Sequence, residues 1–191
     1  MSLILASASP RRGELLAVLA PHFEVIPSSV DETVEGDPSP EERVMQLAQR
    51  KAQDVFSTHP QDVVVGADTL VFLDGRPIGK PKDREDAAQM LRSLSGRVHE
   101  VITGVCVLWP EGSRLFSETS RVEFLPLSEQ TIEKYVRSGE PMGKAGGYAI
   151  QGLASEFVKK LDGNLSNVVG LPIPPLAGAL KQAGVKLILD S

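Results

Sequence analysis

Asp68 stands where an acid is expensive. It interrupts Val63–Phe72, a run of Val-Val-Val-Gly-Ala-Asp-Thr-Leu-Val-Phe that otherwise suits a buried strand. An ionised carboxylate there is costly unless it binds a metal or meets a cation, and one so placed can also take a proton from water. The bland alternative is an aspartate that pairs with a core lysine for structure alone. Mid-strand acids in apolar runs are unusual enough to favour function.

Ser7-Ala8-Ser9-Pro10-Arg11-Arg12 offers a second chemistry. A strand ends and a helix begins here, so several backbone N–H groups lack partners within the helix. Arg11 and Arg12 in the first turn oppose the helix dipole at about 0.3–1 kcal/mol each, and an anion bound there reverses that sign. N–H groups, hydroxyls and arginines together suit a triphosphate. An ordinary capped helix with solvated arginines explains the same residues equally well.

Lys51 is the third candidate. Val44, Ala48 and Val55 form one stripe at helical spacing, and Lys51, seven residues after Val44, falls near its middle. An inward lysine needs a partner or ligand, such as a phosphate or a metal-bound carboxylate. A packed stem with its head in water is an equal reading. The acids Asp31 and Glu32 in Val30–Thr33, and Lys80 in Gly79-Lys80-Pro81, are by default a solvated loop and a surface lysine. Gly139–Gly147 looks like a P-loop but is not one: three residues separate Gly139 from Gly143, and Ala145 has no hydroxyl for magnesium. Glycines there let backbone approach a ligand closely. Tyr148 and Gln151 are expected on a short strand after it, where the Gln151 amide can both donate to and accept from a base edge. His22, His59 and His99 show no metal-ligand spacing.

The elements that must position these groups alternate. Strands are expected at Leu3–Ala6, Phe23–Pro27, Val63–Leu73, Arg97–Trp109, Arg114–Leu125, Glu156–Leu161 and Val185–Leu189. Ser9 as N-cap with Pro10 at N1 opens a first helix, and the capping box Ser39-Pro40-Glu41-Glu42 opens a second that runs to about Phe56. Asp83 caps a third that ends at Gly96, Ser128 starts a fourth, and Pro172–Ala183 is the last. Asp74-Gly75 signals a hairpin. Two long neighbouring strands in the middle favour an α/β fold with a mixed sheet and flanking helices.

The 191 residues suit a single domain, 1–191, with room for two lobes. A net charge of −5 argues against a duplex-coating protein, and 5% aromatic residues argue against a single-strand binder. Cys106 is alone, so it forms no internal disulfide and reads as a small buried residue. The N-terminus lacks a basic, then apolar, leader, and no stretch reaches a membrane span, so a cytoplasmic protein is expected.

Nine short segments, in this order, resemble the Maf family. They are Ser7–Arg12, Val30–Thr33, Lys51-Ala52, Gly66–Thr69, Gly79–Pro81, Leu94–Gly96, Ser138–Pro141, Lys144–Gly146 and Asn167–Pro172. The resemblance implies a twisted mixed sheet similar to the inosine triphosphate pyrophosphatases, with two lobes around a cleft. It implies hydrolysis of a nucleoside triphosphate to the monophosphate and pyrophosphate with a divalent metal, Mg²⁺ or Mn²⁺. Asp68 would be the proton acceptor; Ser7, Arg11, Glu32, Lys51 and Lys80 would line the phosphate and metal site, with Glu32 and Asp68 as metal ligands. Members acting on dTTP and UTP carry the residues found here as Arg12, Thr69 and Gln151, whereas those acting on 7-methyl-GTP differ, with tryptophan at the first. The expected partner is the triphosphate and, beyond it, a second copy of the chain as a homodimer; neither nucleic acid nor membrane is expected. Two rivals stay open: the same chemistry on another base such as 7-methyl-GTP and, from another class, a nucleotide-binding regulator of cell division, suggested by the family's link to septum formation. Gly143 and Gly163-Asn164-Leu165 depart from the family's usual Asp and Gly-Ser-Tyr.

Overall fold

Short apolar runs form the strands, and their period-two alternation decides which helix each side chain meets. The computed structural model describes residues 1–190. β1 (Leu3–Leu5) pairs in parallel with β2 (Glu24–Val25) and with β3 (Val63–Leu73), with Leu5 opposite Val25 and Val65. β4 (Arg76–Ile78) returns antiparallel on β3 through a tight turn. Asp74 (φ 52°) and Gly75 (φ 74°) both take the left-handed backbone such a two-residue hairpin needs. β5 (Val98–Trp109) and β6 (Gly112–Phe124) are joined by two residues, which only antiparallel strands allow. β7 (Val158–Asp162) lies antiparallel on β6. The sheet order is β2-β1-β3-β5-β6-β7 with β4 beside β3, a mixed sheet as the sequence implies.

The helices are α1 (Pro10–Leu19), α2 (Pro40–Phe56), α3 (Arg84–Leu94), α4 (Glu129–Arg137), α5 (Leu165–Val169) and α6 (Ile173–Gln182). α2 has the full capping box, Ser39 with Glu42, and Asp83 and Ser128 cap α3 and α4 with their side chains, interactions of about 1 kcal/mol each. Ser9 sits at the N-cap of α1, but its side chain does not cap. No helix among the described residues is long and apolar enough to cross a membrane.

The chain divides into two compact units. The first comprises Met1–Asp68, Thr103–Glu118 and the segment from Gly170 onward. On one face of its strands, Leu3, Leu5, Val63 and Val65 pack with Leu16 of α1 and Leu176 and Leu180 of α6. On the other, Ile4, Ala6, Val64 and Cys106 pack with Ala48, Ala52 and Val55 of α2. Burial pushes the Cys106 thiol up to about 12, consistent with an inert core residue. The second unit comprises Thr69–Ile102 and Thr119–Val169. Its core joins Leu91 and Leu94 of α3, Ile132 and Tyr135 of α4, Val101, Val122 and Phe124. His99 is buried there, with its Nε2 2.7 Å from the Tyr148 hydroxyl and its ring edge-on to Phe124. Burial lowers its pKa to about 4, so it is neutral.

Two sequence expectations fail. Val185–Leu189 is not a strand: Gly184 (φ 78°) turns the chain, Leu187 drops into the core, and Ile188–Asp190 forms a 3-10 turn. Asp190 accepts from Lys181 Nζ at 2.6 Å and Leu187 N–H at 3.3 Å, which fastens the segment to α6 instead of a sheet edge. The short strand expected for Tyr148 and Gln151 is likewise absent: Tyr148 follows a 3-10 turn, and Gly152 N–H donates to Ala149 O at 3.0 Å, closing a β-turn with Gln151 at its exposed third position.

Candidate active site

Strand parity aims Asp68. On β3, Val63 and Val65 face α1 and α6, whereas Val64 faces α2, so Asp68, four residues after Val64, also faces α2. Gly66 and Gly104 let α2 come close, because a Cβ on either would overlap α2 backbone at Ala48 or Val44. Lys51 on α2 then reaches Asp68 Oδ1 at 2.7 Å, with both side chains nearly buried (12% and 8% exposed). The other oxygen, Asp68 Oδ2, is buried without a hydrogen-bond partner among the described residues.

α2 also gathers the acidic loop. Asp54 accepts from Ser29 N–H at 3.0 Å, and Arg50 donates to Thr33 O at 2.6 Å. Lys51 meets Glu32 Oε1 at 2.7 Å. Asp31 is spent locally: its carboxylate accepts from the Thr33 N–H and hydroxyl, both at 2.8 Å, and these hydrogen bonds hold its pKa below the usual range. Of the two loop acids, Glu32 therefore joins the site.

The Ser7–Arg12 segment completes this cluster. Ser7 is buried, and its Oγ accepts from Ser9 N–H at 3.3 Å and Arg12 Nη1 at 3.2 Å. Arg12 Nε donates to Gly170 O at 2.9 Å, an anchor the sequence reading did not foresee. Burial lowers the Arg12 pKa, Asp68 raises it, Arg11 lowers it further and Glu32 raises it. Arg12 thus feels both acids, and the first turn of α1 carries no acid to balance Arg11. Ser7, Arg11, Arg12, Glu32, Lys51 and Asp68 all belong to the first unit. They include a buried acid bonded to Lys51 and within the field of Arg12, near a helix start, an arrangement that can grip an anion.

Thr69, Lys80 and Gln151 belong to the second unit. Thr69 follows Asp68 on β3. Lys80 is exposed two residues past β4; the register that sets Ile78 opposite Val71 carries it back toward Thr69. Gly79 O accepts from Gly146 N–H at 3.0 Å, tying the Lys80 segment to the glycine-rich loop. Gly146 and Gly147 (φ 71° and 70°) need glycine's freedom to make that loop's turn. Sequence reasoning missed Glu140. Its carboxylate accepts from the Tyr135 hydroxyl at 2.9 Å, Leu153 N–H at 3.0 Å and Ala154 N–H at 3.3 Å. Burial raises its pKa, but those donors and the charge of Lys144 outweigh it and hold the group ionised. The departure at Asn164 has a local explanation: its side chain accepts from Ser166 N–H and hydroxyl at 2.8 and 2.6 Å and opens α5.

The dTTP/UTP pyrophosphatase of Bacillus velezensis is 49% identical over 184 residues, covering 96% of this chain and 97% of that one. That of Desulforamulus reducens is 50% identical over 188 residues, covering 97% and 98%. The solved Ham1 protein of Staphylococcus aureus superposes with a TM-score of 0.49 at 18% identity, over 65% of this chain and 72% of that one, too partial a likeness to carry an argument. The family model for Maf-like proteins matches residues 2–183, and with relatives this similar along nearly their whole length, the chain belongs to the Maf family.

Proposed function

We propose that the protein hydrolyses dTTP and UTP to the nucleoside monophosphate and pyrophosphate. The observation that carries this is Asp68, one oxygen on Lys51 and the other buried without a partner, beside an arginine-bearing helix start. The relatives' name, dTTP/UTP pyrophosphatase, supports the reaction and the bases.

Glu32 and Asp68 fit a divalent cation of the Mg²⁺ or Mn²⁺ kind. Both are hard oxygen donors gathered on one ammonium, and Asp68 Oδ2 is available. Among the described residues no group of three or more His, Cys, Asp or Glu could hold a metal. Two carboxylates plus substrate phosphates is nevertheless a usual Mg²⁺ arrangement. When bound, the cation supplies charge neutralisation at the phosphate oxygens.

The chain's own residues do the rest. Arg11, Arg12 and Lys51 balance the polyphosphate charge, and Ser7 Oγ, already accepting from two donors, has its own hydrogen to give. The Asp68 carboxylate takes a proton from the water that attacks the α-phosphorus; the bond to the bridging oxygen breaks and pyrophosphate leaves. Positioning and charge stabilisation carry most of the rate, as in other phosphorus transfers. Lys80, Thr69 and Gln151 are assigned to the same nucleotide on the family resemblance, the last two as readers of the base.

A panel of triphosphates with Mg²⁺ tests the reading. UTP and dTTP are expected to give monophosphate and pyrophosphate at least about tenfold faster than ATP, GTP or 7-methyl-GTP, a selectivity ordinary for a few base contacts. Release of single phosphate, or equal rates across the panel, contradicts it.

A further inference from the structure

The Gln151 turn hangs on two side chains outside it. Ala149 N–H, at its start, donates to the Tyr135 hydroxyl oxygen at 3.2 Å. That hydroxyl donates to Glu140 Oε1 at 2.9 Å. Just past the turn, Leu153 and Ala154 N–H donate to the same Glu140 carboxylate. Gly152 lies so close that a Cβ there would overlap both Glu140 carboxylate oxygens, so turn and carboxylate are in direct contact. Glu140 O accepts from Lys144 Nζ at 2.6 Å, which fixes the loop on its other side. The Tyr135 ring is held independently, edge-on to Phe157 at 5.0 Å.

We propose that Glu140 is a positioning residue for base selection: with Tyr135 it clamps the Ala149–Gly152 turn at both ends and so sets where the Gln151 amide stands. This rests on the reading above in which Gln151 meets the base. An amide gives one acceptor and two donors, and a pyrimidine edge with a carbonyl and an N–H is its complement. Such a contact discriminates only when the amide is held in place, since a mobile one must be ordered at each binding event. An ionised carboxylate suits the clamp because it only accepts, and three donors converge on it. A glutamine there would turn an NH₂ group toward at least one of those donors.

The test compares wild-type enzyme, Glu140→Gln, Gln151→Ala and the double variant with Mg²⁺, using UTP, ATP and inorganic tripolyphosphate. For Glu140→Gln the KM for UTP is expected to rise about tenfold, kcat to fall less than about threefold, and the preference for UTP over ATP to shrink about tenfold. Inhibition by tripolyphosphate, which has no base, is expected to stay within about twofold. On the Gln151→Ala background, Glu140→Gln is expected to change the preference by less than about twofold, because the two act as one unit. Tyr135→Phe removes the other half of the clamp but keeps the ring, and is expected to act in the same direction by about threefold; it decides the matter if Glu140→Gln does not fold. Unchanged preference in the variants, or additive effects with Gln151→Ala, overturns the clamp while leaving the pyrimidine reading intact. A wild-type enzyme without preference for UTP overturns the base-reading role itself and this proposal with it.

Discussion

Lys51 Nζ stands 2.7 Å from both Glu32 Oε1 and Asp68 Oδ1, so one ammonium balances two acids of unequal burial. Glu32 is more than half exposed and loses little without it, whereas Asp68 would keep a buried charge that has lost its directly bonded cation. Lys51→Met is therefore expected to cost about 3 kcal/mol, roughly 10 °C in Tm for a chain of this size. Added Mg²⁺ should raise the variant's Tm more than the wild type's, since it would replace the lost charge. Thermal melts with and without Mg²⁺ check both; an unchanged Tm would show that the pair carries no burial cost. Asp68 and Lys51 were legible in the sequence because each violates a local pattern, a carboxylate in an apolar strand and a cation in an apolar stripe. Glu140 violates none. Its importance comes from three donors on two separated segments converging on it, which spacing along the chain does not encode.

α2 acts through its closeness to the sheet. Gly66 faces Ala48 and Ala52 with no room for a Cβ, and the turn of helix between them carries Lys51. Gly66→Ala would push that turn outward and lengthen the Lys51–Asp68 contact. The expected cost is about 1–3 kcal/mol of stability, with turnover falling tenfold or more, roughly the effect of misplacing a charge by an ångström. Gly178→Ala in α6 has open space at its Cβ and should stabilise by about 0.5–1 kcal/mol, separating crowding from helix propensity. Denaturant melts and UTP turnover of the two variants check this; equal effects would remove α2 placement from the account. Where capping chemistry was written out, as in Ser39–Glu42, the element began as expected. Where tertiary bonds decided, the sequence misled: Val185–Leu189 is apolar and β-branched enough to suit a strand, yet Lys181 and Asp190 capture it against α6.

The mixed sheet followed from its alternating strands and the paired long ones, because period-two patterning is a local property. The boundaries between the two units did not. One boundary falls between Asp68 and Thr69 inside β3, and others fall inside β5 and β6, so neither composition nor linker marks them. A net charge of −5 also hides the cationic cluster of Arg11, Arg12 and Lys51, since a site's field comes from neighbours and not from a sum. What the molecule does with that cluster turns on the proton acceptor. The most direct measurement is UTP turnover by Asp68→Asn at saturating nucleotide and Mg²⁺, on protein whose melt shows it folded. Asparagine still accepts from Lys51 but cannot take the proton, so turnover should fall by about 10²–10⁴ with UTP binding retained. Turnover within about twofold of wild type would contradict the account.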